Sequence, residues 1–233
     1  MNNSTSKSVD ELTSWNADWR GLRAAVLGLG VTGFSVADTL LELGASVLVV
    51  ASSSKDEQRR LLDVIGADYF EGDLSSVPGV VTEFDPEVIV VSPGFAPDHP
   101  LLLWARERGT PVWGDIELAW RVRDKISPVA EWILVTGTNG KTTTTQLTAH
   151  MLEADGQRVA AVGNIGIPVL DAVRYPAGFD VLVVELSSYQ LHWLGQTVNG
   201  TLTPWASVCL NVADDHLDWH GSPGAYRLSL IHI

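Results

Sequence analysis

The stretch from Trp132 to Thr145, WILVTGTNGKTTTT, constrains the chain most. An apolar run (Ile133, Leu134, Val135) stops at Thr136-Gly137-Thr138-Asn139-Gly140-Lys141-Thr142, and a polar, helix-compatible run then leads to Leu147, Met151 and Leu152. This order is strand, glycine loop, helix, and it commits the chain to an α/β fold with a parallel sheet. Glycines let backbone N–H groups turn inward around an anion, and the helix N-terminus adds its positive dipole end. Lys141 is placed to reach the outer phosphates of a nucleotide, and the Thr142 hydroxyl to hold Mg²⁺. The longer form of the motif has a glycine five residues before Gly140. Val135 stands there, so the loop is a shortened G-x-x-G-K-T.

A second glycine loop lies upstream. Ala24 to Leu27 reads as a strand running into Gly28-x-Gly30-x-x-Gly33, followed by helix-periodic Phe34, Ala37, Leu40 and Leu41, a stop at Gly44 and a strand over 46–50. This is a βαβ unit with a dinucleotide fingerprint in its proper context. An NAD site also needs an acid at the end of the second strand to grip the ribose. That strand ends Val49-Val50-Ala51-Ser52-Ser53-Ser54, and the nearest acid, Asp56, falls in the next helix, expected over 56–66. The loop suits a diphosphate, and a nucleotide diphosphate other than NAD fits it better.

Further strands are expected at 88–91, 158–162, 180–184 and 206–212. Each ends in a ligand-like loop: Ser92-Pro93-Gly94, Gly163-Asn164-Ile165-Gly166, Glu185-Leu186-Ser187-Ser188-Tyr189-Gln190 and Asn211-Val212-Ala213-Asp214-Asp215-His216. Carboxyl ends of parallel strands are where open α/β sheets bind ligands. Glu185 at a strand tip near the phosphate loop reads as a Mg²⁺ ligand. The acids around His216 suit a metal or phosphate site. Helices are expected from Pro100 to Arg108 and from Gly114 or Asp115 to about Arg123, with the domain boundary in 124–131 around Ser127-Pro128.

A net charge of −13 excludes a phosphate-backbone partner, so no nucleic acid is expected. No segment is long and apolar enough to span a membrane. Residues 1–22 lack an apolar signal region and read as a flexible leader, so the expected location is cytoplasmic. The single cysteine, Cys209, sits in an apolar run and is expected to be a buried core thiol.

Taken together, GLGVTG (28–33), SPG (92–94), GDIEL (114–118), GTNGKTT (137–143), GNIG (163–166), ELSSYQL (185–191) and NVADDHLD (211–218) resemble the Mur ligase family, ATP-dependent amide-forming enzymes of peptidoglycan synthesis. The resemblance spans residues 23 to about 227, and ELSSYQL points to the branch that adds D-glutamate. It implies a Rossmann-like domain over 23–124 that holds the UDP end of the sugar substrate. An incomplete P-loop α/β domain over 125–233 would hold ATP on Gly137, Thr138, Asn139, Gly140, Lys141, Thr142 and Thr143. Val31, Thr32, Ser92, Pro93, Gly94, Asn164 and His216 match substrate-contacting positions. Thr142, Glu185 and His216 match the metal site, with Lys141, Glu185 and His216 as the catalytic set. The implied reaction gives the γ-phosphoryl group of ATP to the carboxylate of UDP-N-acetylmuramoyl-L-alanine, and the amine of D-glutamate attacks the acyl phosphate. The expected form is a monomer using ATP and Mg²⁺.

Two departures accompany the resemblance. The family's third domain, which carries the D-glutamate site, lies beyond Ile233, so the reading is of a C-terminally truncated, inactive fragment. The family also has a carbamylated lysine shortly after a Tyr-Arg pair; after Tyr226-Arg227 the matching position is Leu230. Two other readings stay open: an NAD(P)-binding oxidoreductase built on GLGVTG, and a non-catalytic nucleotide-binding module.

Overall fold

The computed structural model describes residues 9–194 and 202–231. Short apolar runs flanked by glycine, proline or acidic residues form nine strands among these residues, and helices fill most of the gaps. In chain order they are β1 Arg23–Leu27, α1 Val31–Glu42, β2 Ser46–Ala51, α2 Asp56–Ile65, β3 Asp68–Glu71, α3 Gly79–Phe84, β4 Val88–Val91, α4 Pro100–Arg108, β5 Val112–Gly114 and α5 Asp115–Arg121. There follow β6 Glu131–Thr136, α6 Lys141–Ala154, β7 Val159–Gly163, α7 Val169–Val173, β8 Val181–Glu185, α8 Ser188–Leu194, β9 Ala206–Cys209, α9 Leu217–His220 and α10 Pro223–Ile231.

The strands make two parallel sheets, ordered β3-β2-β1-β4-β5 and β7-β8-β6-β9. Ala24–Leu27, Val47–Val50 and Val88–Val91 are buried along their whole length, as parallel strands covered by helices on both faces must be. The first sheet reverses direction of growth between β1 and β4. The loops after those two strands are Gly28–Gly33 and Ser92–Gly94, so the diphosphate-type loop sits at the switch point. Gly33 is required there: a Cβ would lie 2.1 Å from the Gly28 carbonyl oxygen.

The two sheets share one hydrophobic cluster, in which Val36, Leu40, Ile116 and Leu118 join Trp132, Leu134, Leu170 and Leu191. Polar contacts cross the same seam. Arg174, the C-cap of α7, donates to Asp38 at 2.6 Å and Glu42 at 3.1 Å on α1, and the Ser35 hydroxyl donates to Asp171 at 2.5 Å. Gln190 of α8 donates through Nε2 to the buried Asp115 Oδ2 at 3.0 Å.

Four points of the sequence reading need correction. The expected loose leader does not hold over residues 9–22, while residues 1–8 lie outside the described residues. Leu12, Trp19 and Leu22 are buried, Trp19 meets Trp113 edge-on at 6.3 Å, and Asp124 accepts hydrogen bonds from the Ser14 hydroxyl and, at 2.6 Å, from the Trp15 amide. Apolar area and satisfied backbone groups tie this segment down. The strand expected over 206–212 ends at Cys209. Cys209 is only half-buried, because among the described residues β9 is an edge strand whose side chains are largely exposed. Finally, β3 and α3 were not anticipated: DYFE is short, polar at both ends and only half-buried.

Asp115 carries a pH signature. Burial raises its carboxyl to about 6, against hydrogen bonds from Gln190 and from the Asp115 and Ile116 amides that favour the charged form. The folded chain therefore binds this proton more tightly than the unfolded chain. Stability falls as pH rises from about 4 to 6 and stays lowered above that, by up to roughly 3 kcal/mol. Asp115→Asn keeps the acceptor for Gln190 and removes the buried charge. Urea unfolding is expected to show it more stable than the parent at pH 8 and no more stable at pH 4; an equal difference at both pH values would refute this account.

Candidate active site

Parallel pairing decides what surrounds the phosphate loop. In register, Val135 of β6 faces Glu185 of β8, Gly163 of β7 also faces Glu185, and Thr136 faces Cys209 of β9. The loops after all four strands therefore leave from one edge. A cavity of about 260 Å³ opens there, lined by Gly137, Lys141, Asn164, Ser187, Ser188, Tyr189, Asp215, His216 and Tyr226. A larger cavity of about 340 Å³, among Leu102, Arg106, Val112, Trp113 and Trp193, contains none of these residues. Chemistry rather than size selects the first.

The loop has the geometry of an anion cradle. Gly137 has φ of 138°, and a Cβ on it would come within 3.1 Å of the Asn211 backbone. Gly140, in the left-handed region, caps α6 with no side-chain hydrogen bond. The first-turn amides of this 14-residue helix thus point outward without an intrahelical partner. Lys141 Nζ donates to the Gly137 and Thr138 carbonyls at 2.8 and 3.0 Å. Its ammonium folds back over the loop mouth, within the same cavity. Thr142 and Thr143 are exposed in the first turn.

Glu185 is 1% exposed. Its Oε1 accepts from Asn164 Nδ2 at 2.8 Å, while Oε2 is buried with no hydrogen-bond partner. An orphaned buried carboxylate oxygen is costly unless a cation or donor meets it. A hard divalent cation with oxygen ligands suits that vacancy in bonding. His216, at φ 49°, begins α9; its ring lies 4.8 Å from Tyr189, and its Nε2 3.5 Å from Asp215. The structure brings Lys141, Asn164 and His216 into one cavity lining, whereas Glu185, buried and hydrogen-bonded to Asn164, and Thr142 are not part of that lining. Among the described residues, no group of three or more His, Cys, Asp or Glu side chains is arranged to hold a metal ion. The acids at 214, 215 and 218 with His216 are therefore not a ready metal centre.

An aromatic wall completes the cavity. Tyr189 stands against His216, Trp219 and His220, and His220 Nε2 pairs with the Ser188 hydroxyl at 2.9 Å. Burial, then His192 and His216, lower the His220 pKa. The buried Tyr226 pairs its hydroxyl with Thr138 Oγ1 at 2.8 Å, and its pKa is raised, chiefly by burial. Sequence reasoning gave Tyr226, His220 and Asn211 no role. Their partners lie 88, 32 and 72 positions away, and no local pattern marks such contacts.

At the first loop, α1 starts at Gly30 with no side-chain cap. Val31 is exposed, Thr32 and Pro93 are half-buried and Gly94 is exposed. Ser92 Oγ is buried without a partner and closes on the glycine turn: a Cβ on Gly28 would lie 2.7 Å from it. No acid ends β2. The acid one strand over, Glu71, already accepts from Ser54 and Tyr69, each at 2.7 Å.

Comparison with known proteins finds relatives for both sheets. Residues 22–114 match the MurD-like N-terminal domain of Mur ligases, and residues 135–232 match the Mur ligase middle domain. The chain is 68% identical over 222 residues to the UDP-N-acetylmuramoylalanine--D-glutamate ligase of Leifsonia xyli, covering 92% of this chain and 43% of that protein. It is 53% identical over 218 residues to the enzyme of that name from Tropheryma whipplei, covering 94% and 44%. The chain thus spans less than half the length of these relatives. Among solved structures, the UDP-N-acetylmuramate:L-alanyl-gamma-D-glutamyl-meso-diaminopimelate ligase of Neisseria meningitides shares the fold, with a TM-score of 0.53 at 20% identity over 90% of this chain and 66% of that one. With N-terminal and middle domain signatures in order over residues 22–114 and 135–232, the chain belongs to the Mur ligase family.

Proposed function

We propose that the chain supplies the nucleotide-handling part of an ATP-dependent ligase that adds D-glutamate to UDP-N-acetylmuramoyl-L-alanine in peptidoglycan synthesis. The observation that carries this reading is one cavity, at the tips of parallel strands, lined by the phosphate-loop Lys141 together with Asn164 and His216. On this reading residues 23–124 form the UDP-binding domain and the ATP-binding domain begins at 125. The protein acts as a cytoplasmic monomer.

The residues divide the work by chemistry. Backbone N–H groups of Gly137–Thr143 and the α6 N-terminus hold the ATP phosphates. Lys141 leaves its two carbonyl acceptors and follows the γ-phosphoryl group, offsetting repulsion between that phosphate and the alanine carboxylate it joins. Asn164 and His216 hold the substrate end. Val31, Thr32, Ser92, Pro93 and Gly94 take the sugar nucleotide, with the orphaned Ser92 hydroxyl as a ready partner. Mg²⁺, when bound, would neutralise phosphate charge, and Thr142, Glu185 and His216 are the residues that would hold it.

Lys141→Ala tests the loop. Its amine contacts only loop carbonyls, so the fold is expected to survive while ATP affinity falls roughly 10- to 100-fold, as loss of a charged hydrogen-bond donor implies. Calorimetry giving equal affinity for variant and parent would contradict the assignment.

The first domain is expected to prefer a uridine diphosphate compound to NAD. Saturation-transfer NMR on the whole chain decides between them, and NAD signals with none from the uridine nucleotide would favour an oxidoreductase instead.

A non-catalytic binding module is the second reading for these 233 residues taken alone, and Leu230 favours it. At the position where the family resemblance expects a carbamylated lysine, an apolar side chain packs into the core, 1% exposed. Arg227 offers no substitute, since a guanidinium stays protonated and accepts nothing. With ATP, Mg²⁺, UDP-N-acetylmuramoyl-L-alanine and D-glutamate, this polypeptide is expected to bind nucleotide and release no phosphate. Substrate-dependent turnover of about 1 per second or faster would show that Leu230 does not disable the site.

A further inference from the structure

The phosphate loop leaves its backbone polar groups outside any helix or strand ladder, so their partners decide whether it holds its shape. Most of those partners come from one residue. Asn211 Oδ1 accepts from the Asn139 amide at 2.9 Å, and Asn211 Nδ2 donates to the Asn139 carbonyl at 2.8 Å. The Asn211 carbonyl accepts from the Thr138 amide at 3.0 Å, and the Asn211 backbone is also the surface against which Gly137 packs. We propose that Asn211 is a positioning residue of the phosphate loop: its side-chain amide pairs with the Asn139 peptide as a further rung beyond the β6–β9 ladder and holds the cradle open before nucleotide arrives.

The placement follows from the sheet. β9 runs parallel to β6, Thr136 pairs with Cys209, and the Leu210 amide donates to the Thr136 carbonyl. Beyond that point the backbones part to admit the loop, and a side chain carrying one acceptor and one donor at fixed spacing continues the pairing. Asparagine offers this on a short stem. Aspartate would keep the acceptor, lose the donor, and set a negative charge beside the Asn139 carbonyl and the incoming phosphates. The tie is reinforced at Thr138, whose Oγ1 accepts from the Ala213 amide at 2.9 Å and pairs with the Tyr226 hydroxyl. Because both polar atoms of its side chain are engaged by Asn139, Asn211 acts through the loop and not on the ligand. Its contribution is preorganisation: an untied loop must be ordered at the moment of binding, and affinity drops by that amount.

The proposal rests on the assignment of ATP to this loop, and two measurements separate them. ATP and tripolyphosphate titrations are run on the 233-residue parent, Asn211→Ala and Asn211→Asp, and amide hydrogen exchange is followed at residues 137–140 without ligand. Asn211→Ala is expected to weaken both ligands about tenfold, two net hydrogen bonds being lost, and to speed exchange at Asn139 while β6 and β8 stay protected. Asn211→Asp is expected to weaken both more than alanine does, and increasingly so at low salt. If alanine unfolds the chain, the aspartate variant, which keeps the Asn139 amide bond, carries the test alone. Unchanged exchange at Asn139 in a folded Asn211→Ala variant, unchanged affinity with the loop loosened, or undiminished affinity in Asn211→Asp overturns the positioning role. A parent that binds neither ligand removes the ATP assignment, while the exchange result still judges the clamp.

Discussion

Everything at the candidate site depends on the parallel pairing of β6 with β8 on one side and β9 on the other. Parallel strands bring their carboxyl ends to one edge, so three loops distant in sequence emerge side by side. The register then fixes who meets whom: Glu185 comes level with Val135 and Gly163, and residue 211 comes level with the loop after Thr136. A slip of one residue would move every side chain to the opposite face of the sheet and misalign the loops. The run Trp132 to Thr136, buried throughout, resists that slip strongly. The core thereby sets the geometry of the loops without contributing a side chain to their chemistry.

The two sheets are held as one body by a seam that is mainly apolar and partly charged. Arg174 bridges to Asp38 and Glu42 with its side chain only 14% exposed, which argues for a defined orientation more than for large net stability, since desolvation opposes the Coulombic gain. Asp115 and Gln190 add a directional contact at the seam. Gln190 also accepts, through Oε1, from the Ser187 amide at 3.1 Å, and Ser187 lines the cavity. A side chain of the first sheet's last helix thus reaches the second sheet's site through a single glutamine. The two sheets are in direct polar contact at this point.

What the sequence made legible follows from locality. Strand, glycine loop and helix at 132–145 and at 23–42 are contiguous patterns, and the structure forms both where the pattern places them. Helices α2 and α4 were equally plain, each ending at a left-handed glycine, Gly66 and Gly109. Failures arose where the deciding contact is remote. Trp15 and Trp19 in a polar leader are a signal of packing that its composition masked. Cys209 looked buried because its neighbours are apolar, yet edge position overrides local hydropathy. The orphaned oxygen of Glu185 and the hydroxyl of Ser92 are visible only once burial is known. Asn211, Tyr226 and His220 act on residues far away in the chain, so their roles belong to topology and not to motif.

The strand that positions Asn211 is also the least covered in its sheet. Along β6 and β8 the side chains are buried almost without exception, whereas Ala206, Ser207 and Val208 of β9 are exposed, and Trp205 beside it is 68% exposed. Little apolar area anchors β9, so its attachment rests heavily on the backbone ladder to β6 and on the rungs at 138, 139 and 211. Segments with few buried contacts open at lower free energy than the core around them. The cradle is therefore built between a strand buried over 132–136 and one whose side chains are largely exposed among the described residues. Linkage then runs in both directions: a ligand that binds only the closed loop favours docked β9, and docking of β9 favours the ligand by the same free energy.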